Sequence, residues 1–312
     1  MADRTIPKLL QTPAVLLLLM WMLVPLGMTL FFSFIRYVLN SLRRPEWTSP
    51  SIDNWRGFGN YEYVLNNKDF LFAIQNSLLI VVSILVLTVI LGLAFAMLVN
   101  RSFPGRGIVR VLLISPFFVM PAVNAVLWIN MILDPVLGLN GIAVDGINNI
   151  VAGLRDFPVL GAFFSLWPEF EPISFRATQT SAYAVIMMVT WQWTPFAVLI
   201  FMTSLQSEDE SQKEAAILDG ANAWSRFRNL TVPHLARPIA IVVMIQSIFH
   251  LSLYAEIEIV SRGNGNKNLP YLIGEFTSNN IGAASATGIF AVILANIVAI
   301  FLLRMVGKSM MD

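Results

Sequence analysis

Six stretches of this chain, 13–35, 76–98, 108–133, 181–204, 239–260 and 286–306, are apolar over enough residues to cross a bilayer as helices. A hydrocarbon core is about 30 Å thick and a helix rises about 1.5 Å per residue, so about 20 residues suffice. No water-soluble core absorbs six such segments in 312 residues, 56% of them hydrophobic and only 12% charged. Backbone groups in hydrocarbon must bond within their own segment, so the expected class is all-α, a polytopic membrane protein. A net charge of +1 and the lack of a basic cluster interleaved with aromatics leave no case for nucleic acid. Without cysteine there is no disulfide, thiolate nucleophile or thiolate metal site. His234 and His250 are too far apart in sequence to suggest a metal centre, and none is expected.

The first run follows Arg4 and Lys8 and resembles a signal peptide only in place. Its apolar part is too long and no small-residue cleavage site follows, so it reads as an uncleaved span kinked at Pro25. The third run carries Pro116 and Pro121, then Asn124 and Trp128. Between the spans lie three segments assigned to the external side, 36–75, 134–177 and 261–285. Part of the second, 147–167, is apolar enough to imitate a span, but Arg155, Asp156 and Pro158 sit in its middle, so it reads as interfacial. The termini, the 100–110 turn and the segment 205–238 carry 11 Lys and Arg, against 9 in the longer external set. The positive-inside rule then makes both termini and 205–238 cytoplasmic.

Segment 205–238 is polar without being composed like a loop. Glu208, Asp209 and Glu210 suit a helix N-terminus, Ala215, Ala216 and Leu218 extend the helix, and Gly220 permits a turn. Trp224, Phe227 and Leu230 then recur near helical spacing until Pro233. The expectation is a short helix, a bend and a second short helix. Small residues beside a carboxylate suit a helix pressed into another protein's groove.

Glu214-Ala215-Ala216, then three residues, Gly220-Ala221, and Pro233 and Pro238 farther on, resemble the EAA loop of ABC importer permeases. Gly57-Phe58-Gly59-Asn60-Tyr61 with Phe70 and Asn76, and Asp134-Pro135 with Gly138 and Asn140-Gly141, resemble the carbohydrate-uptake branch of that family, so the resemblance covers nearly the whole chain. It implies the six-helix type I permease architecture in a bacterial inner membrane. It also implies a second homologous permease, two ATPase subunits, an external solute-binding protein and a sugar, polyol or sugar derivative as solute. This chain has no Gly-x-x-x-x-Gly-Lys-Ser/Thr loop, so it holds no cofactor and no catalytic residue of its own; ATP and Mg belong to the partner ATPases. Within the loop, Ala215 and Ala216 are expected to form the close-packing face and Glu214 a polar contact to the ATPase. Gly220 makes the bend, Ala221 belongs to the same ATPase-coupling set, and Asp219 either caps the second helix or meets the ATPase. Trp224 and Phe227 are expected beneath the loop, holding it to its own spans.

For the solute, the candidates are intramembrane polar and aromatic groups, which are costly in hydrocarbon unless paired. Gln246, His250 and Tyr254 are spaced as one face of the fifth span, and Asn124 and Trp128 as one turn of the third; Trp191, Gln192 and Trp193 lie on the fourth. Amides and a hydroxyl suit a polyhydroxylated ligand and flat rings suit its C–H faces. The same amides also serve as bonds between neighbouring helices. An ion-coupled carrier is the alternative function, but only His250 is an ionisable group deep in a span.

Overall fold

The computed structural model describes residues 5–38, 50–155, 157 and 161–311, so the expectations resting on Arg4, Asp156, Pro158 and 39–49 fall outside it. The helices in chain order are α1 Thr5–Phe34, α2 Gly59–Leu65, α3 Lys68–Asn100, α4 Arg106–Ile114, α5 Pro121–Leu127, α6 Leu139–Arg155, α7 Gly161–Phe164 and α8 Ser181–Gln206. They continue as α9 Glu210–Leu218, α10 Ala223–Arg226, α11 Val232–His234, α12 Ala236–His250, α13 Ala255–Ser261, α14 Leu269–Thr277 and α15 Ile281–Met311. Among the described residues there is no strand, only two isolated bridges, Ile35 with Trp55 and Val38 with Asn280. By length and composition, Leu10–Phe34, α3, α8 and Ile281–Arg304 can each cross a membrane. Two bent pairs raise the number to six if each pair is one span.

Two of the six expected spans are broken. In 108–133 a 3-10 turn over Ser115–Phe118 leads to Pro121, and the axes before and after differ by 104°. Proline explains the site of the break, because Pro116 and Pro121 offer no N–H and Met120 before Pro121 is extended, at φ −61° and ψ 140°, although Ser115 before Pro116 stays helical. The expected span 239–260 stops at His250; Leu251–Tyr254 turn, and α13 starts afresh at Ala255. Nothing in Leu-Ser-Leu-Tyr marks that break. Its stabiliser is distant in sequence: Asn268 donates to the Leu253 carbonyl at 2.6 Å.

The chain divides into two compact units. In residues 1–74 with 269–296, the end of α1 is held by Asn60 of α2, which is fully buried and donates to the carbonyls of Ser33 and Ile35 at 2.9 and 2.7 Å. A side chain at Gly282 would collide with that amide, which explains the small residues opening α15. The apolar core around them is Val64, Phe70, Leu269, Leu272 and Phe276.

In residues 75–268 with 297–312, α3 and α8 approach through small residues. Ala96 and Ala197 are fully buried with Phe201, and a Cβ on Gly92 would lie 2.6 Å from the Ala197 methyl. Membrane helices, which lack a hydrophobic drive to associate, pack through such close contacts. After the π-helical segment Trp128–Ile132, Asp134 accepts from the N–H groups of Val136 and Leu137 at 2.9 and 2.8 Å. Those bonds, Leu137 first, hold its carboxyl below the usual carboxylate range. The helix that follows begins at Leu139 and ends at Arg155, so the described residues of 147–167 include the end of α6 and, separately, α7. Replacing Gly92 by Leu should overpack the α3–α8 contact and cost about 1–3 kcal/mol. A clear fall in the melting temperature of the purified protein is expected; an unchanged one contradicts this packing.

Candidate functional site

The segment after α8 is built by the rules of a soluble helix pair. Asp209 is the N-cap of α9, its carboxylate accepting the Ser211 N–H at 2.9 Å. The Ser211 hydroxyl and then its backbone N–H hold the Asp209 carboxyl below its ordinary value. The helix stops on Gly220, at φ +77°. Ala221 N–H bonds the Ala216 carbonyl at 2.9 Å and Gly220 N–H bonds that of Ile217 at 3.0 Å, the paired bonds of a Schellman stop. The bend expected at Gly220 is therefore present, and its cause is a left-handed backbone that a Cβ disfavours.

The second cap is a correction. Asp219 ends α9, and the residue that caps α10 is Asn222, whose side chain accepts the Ser225 N–H at 2.8 Å. The Schellman stop moves the next helix start beyond Asp219. The signal was present in Asn222 three residues before Ser225, the spacing of an N-cap. Sequence reasoning also missed Glu208, which bridges Lys213 at 3.3 Å and accepts from Thr231 at 3.1 Å, and His234, which bonds the Ser204 carbonyl at 2.8 Å. These contacts fix the return strand of the loop to its beginning.

Glu214 and Ala215 are exposed and Ala216 is half-buried. Beside them Ile217, Leu218 and Trp224 are 55%, 87% and 67% exposed, far more than apolar side chains in a self-sufficient loop need. Phe227 is half-buried and its ring meets Trp224 at 5.5 Å. Trp224 thus faces outward rather than beneath the loop.

The interior candidates divide into three groups. Asn124 of α5 is fully buried and donates to Gln192 Oε1 at 3.0 Å and to the Met188 carbonyl at 3.2 Å. Gln192 in turn donates to the Val119 carbonyl in the break before α5. Gln246 donates to the Trp193 carbonyl at 3.3 Å, and His250, 1% exposed, meets the Trp193 ring edge-on at 5.0 Å. Gln246 and His250 do share one face of α12. Tyr254 does not join it, because the helix has ended, and its ring is 43% exposed. Trp128 and Trp191 pair at 5.9 Å beside an apolar recess of about 470 Å³ bounded by Leu91, Leu112 and Pro195. Among the described residues no group of three His, Asp or Glu is placed to hold a metal.

The sequence profile of the binding-protein-dependent transport system inner membrane components matches residues 69–312. The chain belongs to that family. Among its relatives, the probable ABC transporter permease protein y4oQ of Sinorhizobium fredii is 32% identical over 78% of this chain and 70% of its own. The trehalose transport system permease protein SugA of Mycobacterium tuberculosis is 23% identical over 99% of this chain and 91% of its own. The fold is that of a chain in the bacterial alginate ABC transporter in complex with alginate pentasaccharide-bound periplasmic protein. That match has a TM-score of 0.69 and 18% identity, covering 96% of this chain and 94% of the other. This permease is therefore an inner-membrane transport component that works with a binding protein.

The Asp209 cap should be pH-dependent. A lowered folded-state pKa contributes stability that is present above the unfolded value and lost as pH falls through the folded one. Amide exchange in α9, corrected for its intrinsic rate, should accelerate over that acid range in the wild type and not in Asp209→Asn, which keeps an acceptor. Equal acid sensitivity in both would contradict the cap.

Proposed function

We propose that this permease pairs with a second, homologous permease to form the passage of an ABC importer for a sugar, polyol or sugar derivative. ATP hydrolysis on two separate ATPase subunits drives it and an external solute-binding protein supplies it. The observation that carries the reading is the segment 205–238, capped at both helices and stopped on Gly220 yet presenting Ile217, Leu218 and Trp224 to solvent beside Glu214. A rigid, shaped, apolar projection is suited to transmitting force into another protein's groove, whereas a mere connection would be free to vary. In this reading Ala215, Ala216 and Ala221 allow close approach, Glu214 and Asp219 supply polar contact, and both termini lie with the loop on the cytoplasmic side. The sugar-transport names among the relatives support the solute class. No feature favours the ion-coupled alternative.

For the solute we favour four of the buried polar atoms that the fold leaves without a partner among the described residues, Asn124 Oδ1, Gln246 Oε1 and both ring nitrogens of His250; Trp128 Nε1 and Thr190 Oγ1 are further members of that set. Each buried unpaired group costs about 1–3 kcal/mol, and a hydroxylated solute offers the missing donors and acceptors. Gln192 serves chiefly to join α8 to the break, Trp193 to pack His250, and Trp128, Trp191 and Tyr254 are secondary candidates.

Two outcomes follow. Gly220→Val strains the left-handed backbone by about 1–2 kcal/mol without meeting any neighbour, so insertion should persist while solute uptake in reconstituted vesicles is lost; normal uptake would sink the coupling role. Gln246→Leu with His250→Phe removes the unpaired Gln246 oxygen and His250 nitrogens at the loss of the one Gln246–Trp193 bond, which should lower stability by no more than about 0.5–1.5 kcal/mol and raise the KM for uptake about tenfold or more. Unfolding with unaltered solute preference in the residual activity would instead assign both side chains to structure.

A further inference from the structure

The hairpin of α6 and its return, 163–173, is built inside out. Three of its polar side chains, Asn140, Asn148 and Arg155, bond its own backbone, while Asp145, Asn149, Glu169 and Glu171 are exposed. Asn140 donates to the Ile173 carbonyl at 2.8 Å, and Asn148 both donates to the Phe170 carbonyl and accepts its N–H at 2.9 Å. The Arg155 guanidinium donates to the carbonyls of Phe164 and Trp167 at 3.1 and 2.6 Å. Its apolar side chains point outward. Leu139, Ile142, Ile147 and Ile150 recur at helical spacing and are each between 48% and 65% exposed. On the return, Phe163, Leu166, Trp167 and Phe170 are exposed as well, three of them aromatic.

Helix α6 therefore has three faces. One, carrying Asn140, Val151 and Arg155, is turned toward the return segment; a second is the apolar stripe; the third, with Asp145, is exposed and polar, and Ile142 and Asn149, seven residues apart, lie together on the border between the last two. Satisfying backbone internally while exposing apolar side chains is a solution for a medium without water. The adjoining polar face requires water close by. Both conditions hold at the boundary of a bilayer, where amphipathic helices lie in the plane and aromatic rings concentrate. The hairpin is also tethered there: it leaves the bent pair ending at Ile132 after six residues and returns to the start of α8 at Ser181.

We propose that this hairpin lies in the lipid headgroup boundary at the Ser181 end of α8, with the Leu139–Ile150 stripe and the 163–170 aromatics immersed in the acyl chains. It anchors the Ser181 end of α8 in the plane of the membrane. The proposal rests only on the chain being a membrane protein and is independent of the solute and of the ATPase contact.

The chain has no cysteine, so single substitutions carry a nitroxide at one defined site. The complex, with its partners made cysteine-free, is reconstituted in phosphatidylethanolamine and phosphatidylglycerol vesicles. Collision with oxygen and with a water-soluble nickel chelate is measured at Leu139, Asp145, Ile147 and Ile150. The expected result is an oxygen-to-nickel ratio several-fold higher at Leu139, Ile147 and Ile150 than at Asp145, following the helical period. Equal nickel access at all four positions overturns the proposal. Shielding from both reagents also overturns it: if present from the outset it assigns the stripe to another subunit, and if it appears only when the binding protein is added it assigns the stripe to that protein. Because labels at adjacent turns share one helix, loss of folding in any one variant of the stripe leaves the period readable from the others.

Discussion

Hydrogen bonding of the backbone where no water is available is the constraint on which this structure depends. Within α1, α3, α8 and α15 the helix supplies most backbone partners, with gaps where Pro13, Pro25 and Pro195 lack an N–H. Wherever a helix breaks, a side-chain amide takes over. Asn60 receives the end of α1, Gln192 the break at Val119, Asn268 the turn at Leu253, and Asn140 the carbonyl of Leu133. Asn76 does the same for the Lys267 carbonyl at 3.1 Å. An unpaired backbone group at such depth costs several kcal/mol, so these amides are conditions of the fold.

That constraint also sorts the interior candidates. An amide has more hydrogen-bonding positions than one break consumes. Asn124 and Gln246 each spend their N–H groups on the protein and keep a buried oxygen without a partner, while His250 keeps both nitrogens. Structural and proposed solute roles thus fall on different atoms of the same residues. The segment 205–238 follows the opposite logic. It lies among polar residues, is capped by Asp209 and Asn222, and its unsatisfied surface is apolar.

Legibility from sequence followed the range of the forces involved. The long apolar runs and the helix–bend–helix around Gly220 are set by local chemistry, and both were readable from composition, caps and a glycine. The break at Pro116–Pro121 was signalled by its prolines, though not its 104° angle. The stop at His250 was not readable, because Leu251–Tyr254 contain no breaker and their geometry is fixed by Asn268 from outside the segment. Reading Gln246, His250 and Tyr254 as one face failed for that reason. The cap role for Asp219, one of the two left open for it, failed more narrowly: Asp219 and Asn222 are both good caps, and only the Schellman bonds at Gly220 decide where the second helix begins. The inverted hairpin at 139–173 was seen as an apolar segment interrupted by charge. That Arg155 turns inward to bond carbonyls could not be known without the return segment in place.

The most direct test of the central claim is ATP hydrolysis by the complex purified through this chain, with and without solute-loaded binding protein, comparing wild type with Glu214→Lys. An importer coupled through 205–238 predicts that ATPase subunits copurify, that loaded binding protein stimulates the wild type, and that the variant loses stimulation or assembly. Absence of any ATPase from the wild-type preparation, or equal stimulation of both forms, would contradict it.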